Sequence, residues 1–123
     1  MNAHGTIKSA ISSLPNVTTL PHRFGGTEFR YNKRELGHIH AFVPESGTAA
    51  RRHGYCLVDI PFPMPVRNKL IEEGRVHEHH ILPESGWISF YIRAEKDINE
   101  AIELLKMSYD IAVASKRKRN TRE

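Results

Sequence analysis

The chemistry available to this 123-residue chain is concentrated in its histidines. Five of the eight lie in two short stretches, GHIH ending at His40 and HEHH from His77 to His80. Residues two apart on a strand share a face, so His38 and His40 project together beside Leu36 and Phe42, with Ile39, Ala41 and Val43 on the other side. In an extended HEHH, His77 and His79 share one face and His80 takes the other. Two imidazoles at this spacing can converge on one ion, and a third from His79 or His80 would complete a histidine-rich metal site, for example His38, His40 and His79. The same rings could act as acid or base, oriented by a carboxylate such as Asp59 or Glu28. The plainer reading is that they are half-buried sheet residues bonded to their neighbours. No HExxH, Cys/His ligand pattern or GxSxG nucleophile turn accompanies them.

Other candidate residues have simpler readings. Gly25-Gly26 in RFGGTEF lacks the following Lys-Ser/Thr and the helix start of a phosphate loop, and is read as a turn. Cys56, the one cysteine, sits in the apolar run GYCLVDI and is read as a small core residue. Trp87, Ser89 and Tyr91 alternate with Ile88, Phe90 and Ile92, so one strand face is aliphatic and the other aromatic and polar.

These residues need elements to position them. Ile7, Ala10, Ile11 and Leu14 recur at helical spacing, with Thr6 able to cap the helix and Pro15 to end it. Strands are expected near 17–20, 27–31 and 35–43, with YNKR as a hairpin turn. Residues 44–53 read as an exposed loop, and a fourth strand runs from Tyr55 to Ile60. Pro65 suits the first turn of a helix closed by Gly74 in the left-handed conformation. HEHHIL and WISFYIR form a last strand pair joined by PESG, a tetrapeptide that also occurs at 44–47 and is a turn in both places. Asp97 and Glu100 form a capping-box variant for a final helix with a stripe of Ile98, Ala101, Ile102, Leu105, Tyr109 and Ala112. The order predicts an α+β domain over residues 1–115, with an antiparallel sheet of five to six strands and the helices on one face.

Length and composition bound the function. The chain suits one domain with a single core. No apolar run approaches the roughly 20 residues of a membrane helix, and the start lacks the pattern of a signal peptide, so the expected compartment is the cytoplasm. The formal charge of +4 is local: five basic residues against Glu123 place it all in residues 116–123, and the remaining chain carries thirteen basic and thirteen acidic side chains. This tail is read as basic and disordered, and Lys116, Arg117, Lys118 and Arg119 could hold nucleic acid by counterion release.

The segments HRFGGTEFR, RELGHIH, DIPFPMPVR and HHILPESGWISF, within a match over about residues 14–113, resemble the luciferase domain family of small bacterial proteins. The chain layout is also similar to the MmcQ/YjbR family, with SLPNVT, the strands through Ile60, the Pro65 helix, HHILPESGW and MSYDIAVASKRKR as counterparts. That likeness implies a CyaY-like or double-wing α+β domain and a DNA-binding role. The family label does not imply flavin-dependent light emission, which needs a barrel of roughly 250 residues, and no nucleotide-binding glycine motif is present. No cofactor is expected. The resulting expectation is a binding domain whose ligand patch gathers Arg23, His38, His40, His79, His80 and Trp87. A histidine-dependent enzyme or metal protein is the alternative, and a protein-interaction module, such as a homodimer through a sheet edge, is the third.

Overall fold

A computed structural model describes residues 2–22, 25–40 and 56–121 of the chain. Arg23, Phe42, the loop at 44–53 and the first PESG lie outside the described residues. The element order is α1 (Ala3–Ser12), β1 (Val17–Pro21), β2 (Thr27–Tyr31), β3 (Arg34–His40), β4 (Cys56–Pro61), α2 (Met64–Glu72), β5 (His77–Glu78), β6 (Trp87–Ile92) and α3 (Glu95–Thr121). The six strands form one antiparallel sheet in the order β1-β2-β3-β4-β6-β5. The fold is thus α+β, as the sequence pattern predicts. No helix among the described residues is long and apolar enough to cross a membrane.

Alternation divides the sheet into two faces. Phe29, Ile39, Val58, Ile60, Ile88, Phe90 and Ile92 point to one side, where they meet Ile7 and Ile11 of α1 and Leu104 and Leu105 of α3. Helices cover this side because burying that apolar surface is the main favourable term in folding, at about 25 cal/mol per Å². Cys56 belongs to the same core, and burial pushes its thiol up to about 12, well away from thiolate chemistry. The alternate residues of the same strands, Glu28, His38, His40, Asp59 and Ser89 with Leu57 and Trp87 among them, face away from the helices.

Local signals explain the helix ends, with three corrections. Asn2, not Thr6, caps α1, its side-chain oxygen accepting from the Gly5 N–H at 3.2 Å. Asp97 does the capping work for α3, accepting from the Arg93 and Ala94 N–H groups at 2.9 and 3.0 Å. Glu100 is instead turned to Arg75, at 2.8 Å. Gly74 ends α2 as expected, at φ 73°, with the Arg75 N–H donating to the Leu70 carbonyl at 3.0 Å. The backbone from Lys116 to Thr121 continues α3 rather than forming a disordered tail. Lysine and arginine are good helix formers, and cations suit the negative end of the helix dipole.

The register of β3 contains the feature on which the site depends. Phe29 pairs with Gly37 but Arg30 pairs with Glu35, so Leu36 is an extra residue, a β-bulge. Strict alternation would place Leu36 on the face of His38. The bulge sends it into the core instead, fully buried with Ile39. Its carbonyl accepts a hydrogen bond from the buried Ser108 hydroxyl of α3 at 2.9 Å. Gly37 carries the distortion at φ 150°, where an added Cβ would lie 2.8 Å from the Asp59 carbonyl oxygen and 2.9 Å from Leu105 Cδ2. Gly37→Ala is therefore expected to lower stability by about 2–3 kcal/mol. Gly25→Ala, at φ 88° with nothing within 4 Å of the new Cβ, should cost only about 1 kcal/mol. Urea unfolding of the two variants checks this, and equal losses would refute the steric account.

Candidate functional site

The sheet face that bears no helix among the described residues carries one row of directly opposed residues across the six strands: Leu20, Glu28, His38, Asp59, Ser89 and His77. Directly opposed side chains lie close enough to interact. At the centre of the row Asp59 is 1% exposed. Its Oδ1 accepts from the Ser89 hydroxyl at 2.8 Å. Its Oδ2 lies 2.8 Å from His40 Nε2, 3.1 Å from His80 Nε2, 3.2 Å from His79 Nε2 and 3.3 Å from His38 Nε2.

Each histidine arrives differently. His38 and His40 share their face by strand alternation, as predicted. The bulge turns Glu35 to the same side, and the Glu35 carboxylate accepts from His38 Nδ1 at 2.7 Å. In an unbroken strand residues three apart would face opposite ways. His79 and His80 do not split between two faces, because β5 stops at Glu78 instead of running to Leu82. The His79 ring supplies the reason: its Nδ1 accepts from the N–H groups of both Ile81 and Leu82, at 3.1 and 3.0 Å. These are donors that a strand would use for pairing. The His80 N–H donates to Ser89 Oγ at 3.3 Å. His77 points away from the cluster and meets Tyr91 edge-on, with ring centroids 5.5 Å apart.

These contacts fix proton positions. An Nδ1 that accepts two N–H bonds carries no proton, so neutral His79 holds its hydrogen on Nε2 and donates it to Asp59. Burial lowers its pKa, which keeps it neutral. His38 is the opposite case. Burial works against its charge, but the hydrogen bonds to Asp59 and Glu35 outweigh it and raise its pKa to about 9. For Asp59, burial alone would raise the pKa, and the bonds from His38, His40 and Ser89 hold it well below the usual carboxylate range.

The cluster floors an open cleft of about 710 Å³. Glu28, Arg30 and Glu35 line one side, the latter beside His38, and Arg30 is ion-paired with Glu28. Leu20, Pro21 and His22 form one lip, and Ile81, Leu82 and Trp87 the other. His22 stacks on His38 with centroids 4.1 Å apart, and Trp87 leans on His38 at 5.3 Å. Of the residues expected in the ligand patch, His38, His40, His79, His80 and Trp87 line this one cleft, while Arg23 lies outside the described residues. Sequence reading singled out neither His22 nor Glu35. No other histidine lies within a few residues of His22 in the sequence, and Glu35 reaches the site only through the bulge.

Fold and site together define a small α+β domain with a buried His/Asp cluster at the base of a surface cleft. The Luciferase domain family model matches residues 33–108, and the chain belongs to that family. The match runs from the β2–β3 turn into α3 and contains His38, His40, Asp59, His79 and His80. No curated protein and no solved structure matches the chain.

The titrations set a pH dependence for the metal-free protein. A folded pKa raised from 6.5 to about 9 means that His38 stabilises the fold fully below about pH 6.5, and the contribution is lost as pH rises through 9. Asp59 has the opposite sign: its contribution is present above its ordinary 3.8 and is lost only in acid. Between these limits the urea midpoint of chelator-treated protein is expected to fall from pH 6.5 to 9, and His38→Gln should flatten the slope. A wild-type midpoint constant over that window would contradict the assignment.

Proposed function

We propose that this domain is a metal-dependent small-molecule-binding protein, arranged as an enzyme active site. His38, His40 and Asp59 form the core of the ligand set, and His80, with its Nε2 3.1 Å from Asp59 Oδ2, is the fourth donor. The observation that carries this reading is the convergence of imidazole nitrogens on one buried oxygen. A carboxylate oxygen has two lone pairs, and four N–H donors exceed what it can accept. A cation that replaces the protons of His38, His40 and His80 removes that excess. The donor set of three imidazoles and a carboxylate suits a borderline divalent ion such as zinc or iron(II).

The surroundings support the same reading. Glu35 on His38 Nδ1 is the carboxylate that commonly orients a ligating imidazole and raises its basicity. His79 drops out of the ligand set of His38, His40 and His79 that the sequence suggested, because its Nε2 holds the proton. It is left as a hydrogen-bond donor aimed at whatever oxygen the site holds. The open side of the cleft leaves room for a ligand beside the ion.

Protein purified without an affinity tag, or reconstituted after chelation, is expected to hold about one equivalent of transition metal. His40→Ala should abolish this, and Glu35→Gln should weaken affinity by about 10- to 100-fold. Absence of stoichiometric metal, together with no thermal stabilisation on adding zinc or iron(II), would overturn the reading.

A second reading, nucleic-acid binding, is favoured by a separate groove of about 730 Å³ between the β2–β3 turn and α3. Lys33, Arg34 and Lys118 line it with Tyr31, and among the described residues its lining contains no acidic side chain. Lys116 lies over the Tyr31 ring at 5.7 Å. The resemblance of the element order to the MmcQ/YjbR family, read from the sequence, is the other ground for this reading. Fluorescence anisotropy should then show binding that falls with rising salt and weakens in a Lys33→Gln/Arg34→Gln variant. Absent or salt-insensitive binding to both duplex and single strands would dismiss it.

A further inference from the structure

Four large apolar side chains stand exposed among the described residues: Leu20 at 44%, Met64 at 43%, Ile81 at 70% and Leu82 at 51%. Three of them, Leu20, Ile81 and Leu82, line the cleft above the His/Asp cluster. Isolated exposed apolar residues are ordinary, but their collection around a polar centre is not. Nor are Ile81 and Leu82 loosely held. Their own backbone N–H groups are bonded to the His79 ring, and Arg67 donates to the Pro83 carbonyl at 2.6 Å to fix the next residue. The site thus holds two apolar side chains out towards water at its own rim.

The charges of the cleft narrow the occupant further. Glu28 is paired with Arg30, Glu35 with His38, and Asp59 with the histidines. The polar demand is therefore concentrated at the base, where an ion would accept an oxygen donor, and the rim offers apolar surface.

We infer that the cleft takes a small amphipathic molecule, an apolar body ending in an oxygen-donor head such as a carboxylate or hydroxamate. The head sits at the His/Asp cluster, and the body lies between Leu20 on one lip and Ile81 and Leu82 on the other. The position of the head rests on the metal reading above. The position of the body rests only on the rim. Pocket sites of this kind commonly combine an apolar lining with a few convergent polar groups.

Calorimetry with acetohydroxamate, hexanohydroxamate and octanohydroxamate on zinc-loaded protein tests the inference. Affinity should rise with chain length by about three- to fourfold for each methylene that becomes buried. Ile81→Ser/Leu82→Ser, both at exposed positions, should remove most of that gain while leaving metal content and acetohydroxamate affinity unchanged. The same comparison of acetate with octanoate on metal-free protein separates the two readings. Chain-length dependence without any metal binding would sink the metal reading and keep the apolar site. Stoichiometric metal with no chain-length dependence would do the reverse and overturn this inference. A dimer that dissociates in the double serine variant, with no chain-length dependence, would assign the rim to contact between copies and overturn it equally.

Discussion

One buried carboxylate governs this structure. Asp59 is almost wholly removed from water, and an isolated ionised carboxylate there would be prohibitively costly. The cost is offset because cross-strand neighbours on both sides, His38 and Ser89, reach it directly, and His40, His79 and His80 close around it. Removing one partner of such a group is far more damaging than removing both, since the remaining charge is left uncompensated. The cluster is therefore a cooperative unit, and the strands and the 79–82 segment that deliver its members are tied to it.

The bulge at Leu36 and Gly37 is the backbone counterpart of that cluster. It allows β3 to send Leu36 into the core and Glu35 to the open face within two residues, alongside His38, which regular alternation forbids. α3 secures it from the core side, through Ser108 on the Leu36 carbonyl and Leu105 against Gly37. Contacts from the helical face thus brace the bulge that sets Glu35 beside His38 on the opposite face. The two sides are linked through one residue of register.

A division of labour follows between the faces. The helix side buries the aliphatic surface that stabilises the domain. The open side keeps the polar row, and its exposed apolar side chains gather at the rim of the cleft. His79 joins the two parts of the open side, since a single ring bonds Asp59 with one nitrogen and sets the apolar Ile81 and Leu82 with the other.

The sequence alone determined the periodic and the local. Alternation in β3 and β6 placed His38 with His40, and Trp87 with Ser89. Asparagine and glycine at left-handed positions marked the turn at Asn32 and the end of α2, and the long apolar stripe marked α3. It also contained the reactive residue types, with Asp59 already visible as a partner for the histidines. Tertiary structure decided the rest. Thr6 gave way to Asn2 as a cap, Leu36 left the histidine face, and HEHHIL became two strand residues followed by a turn built on His79. These outcomes depend on which distant group takes a given donor or acceptor: Ser108 on the Leu36 carbonyl lies 72 residues away. A linear pattern records neighbours two to four residues apart. The meeting of His38, His40, His79 and His80 on Asp59 depends on strand register across the sheet, and that is fixed only when the core packs.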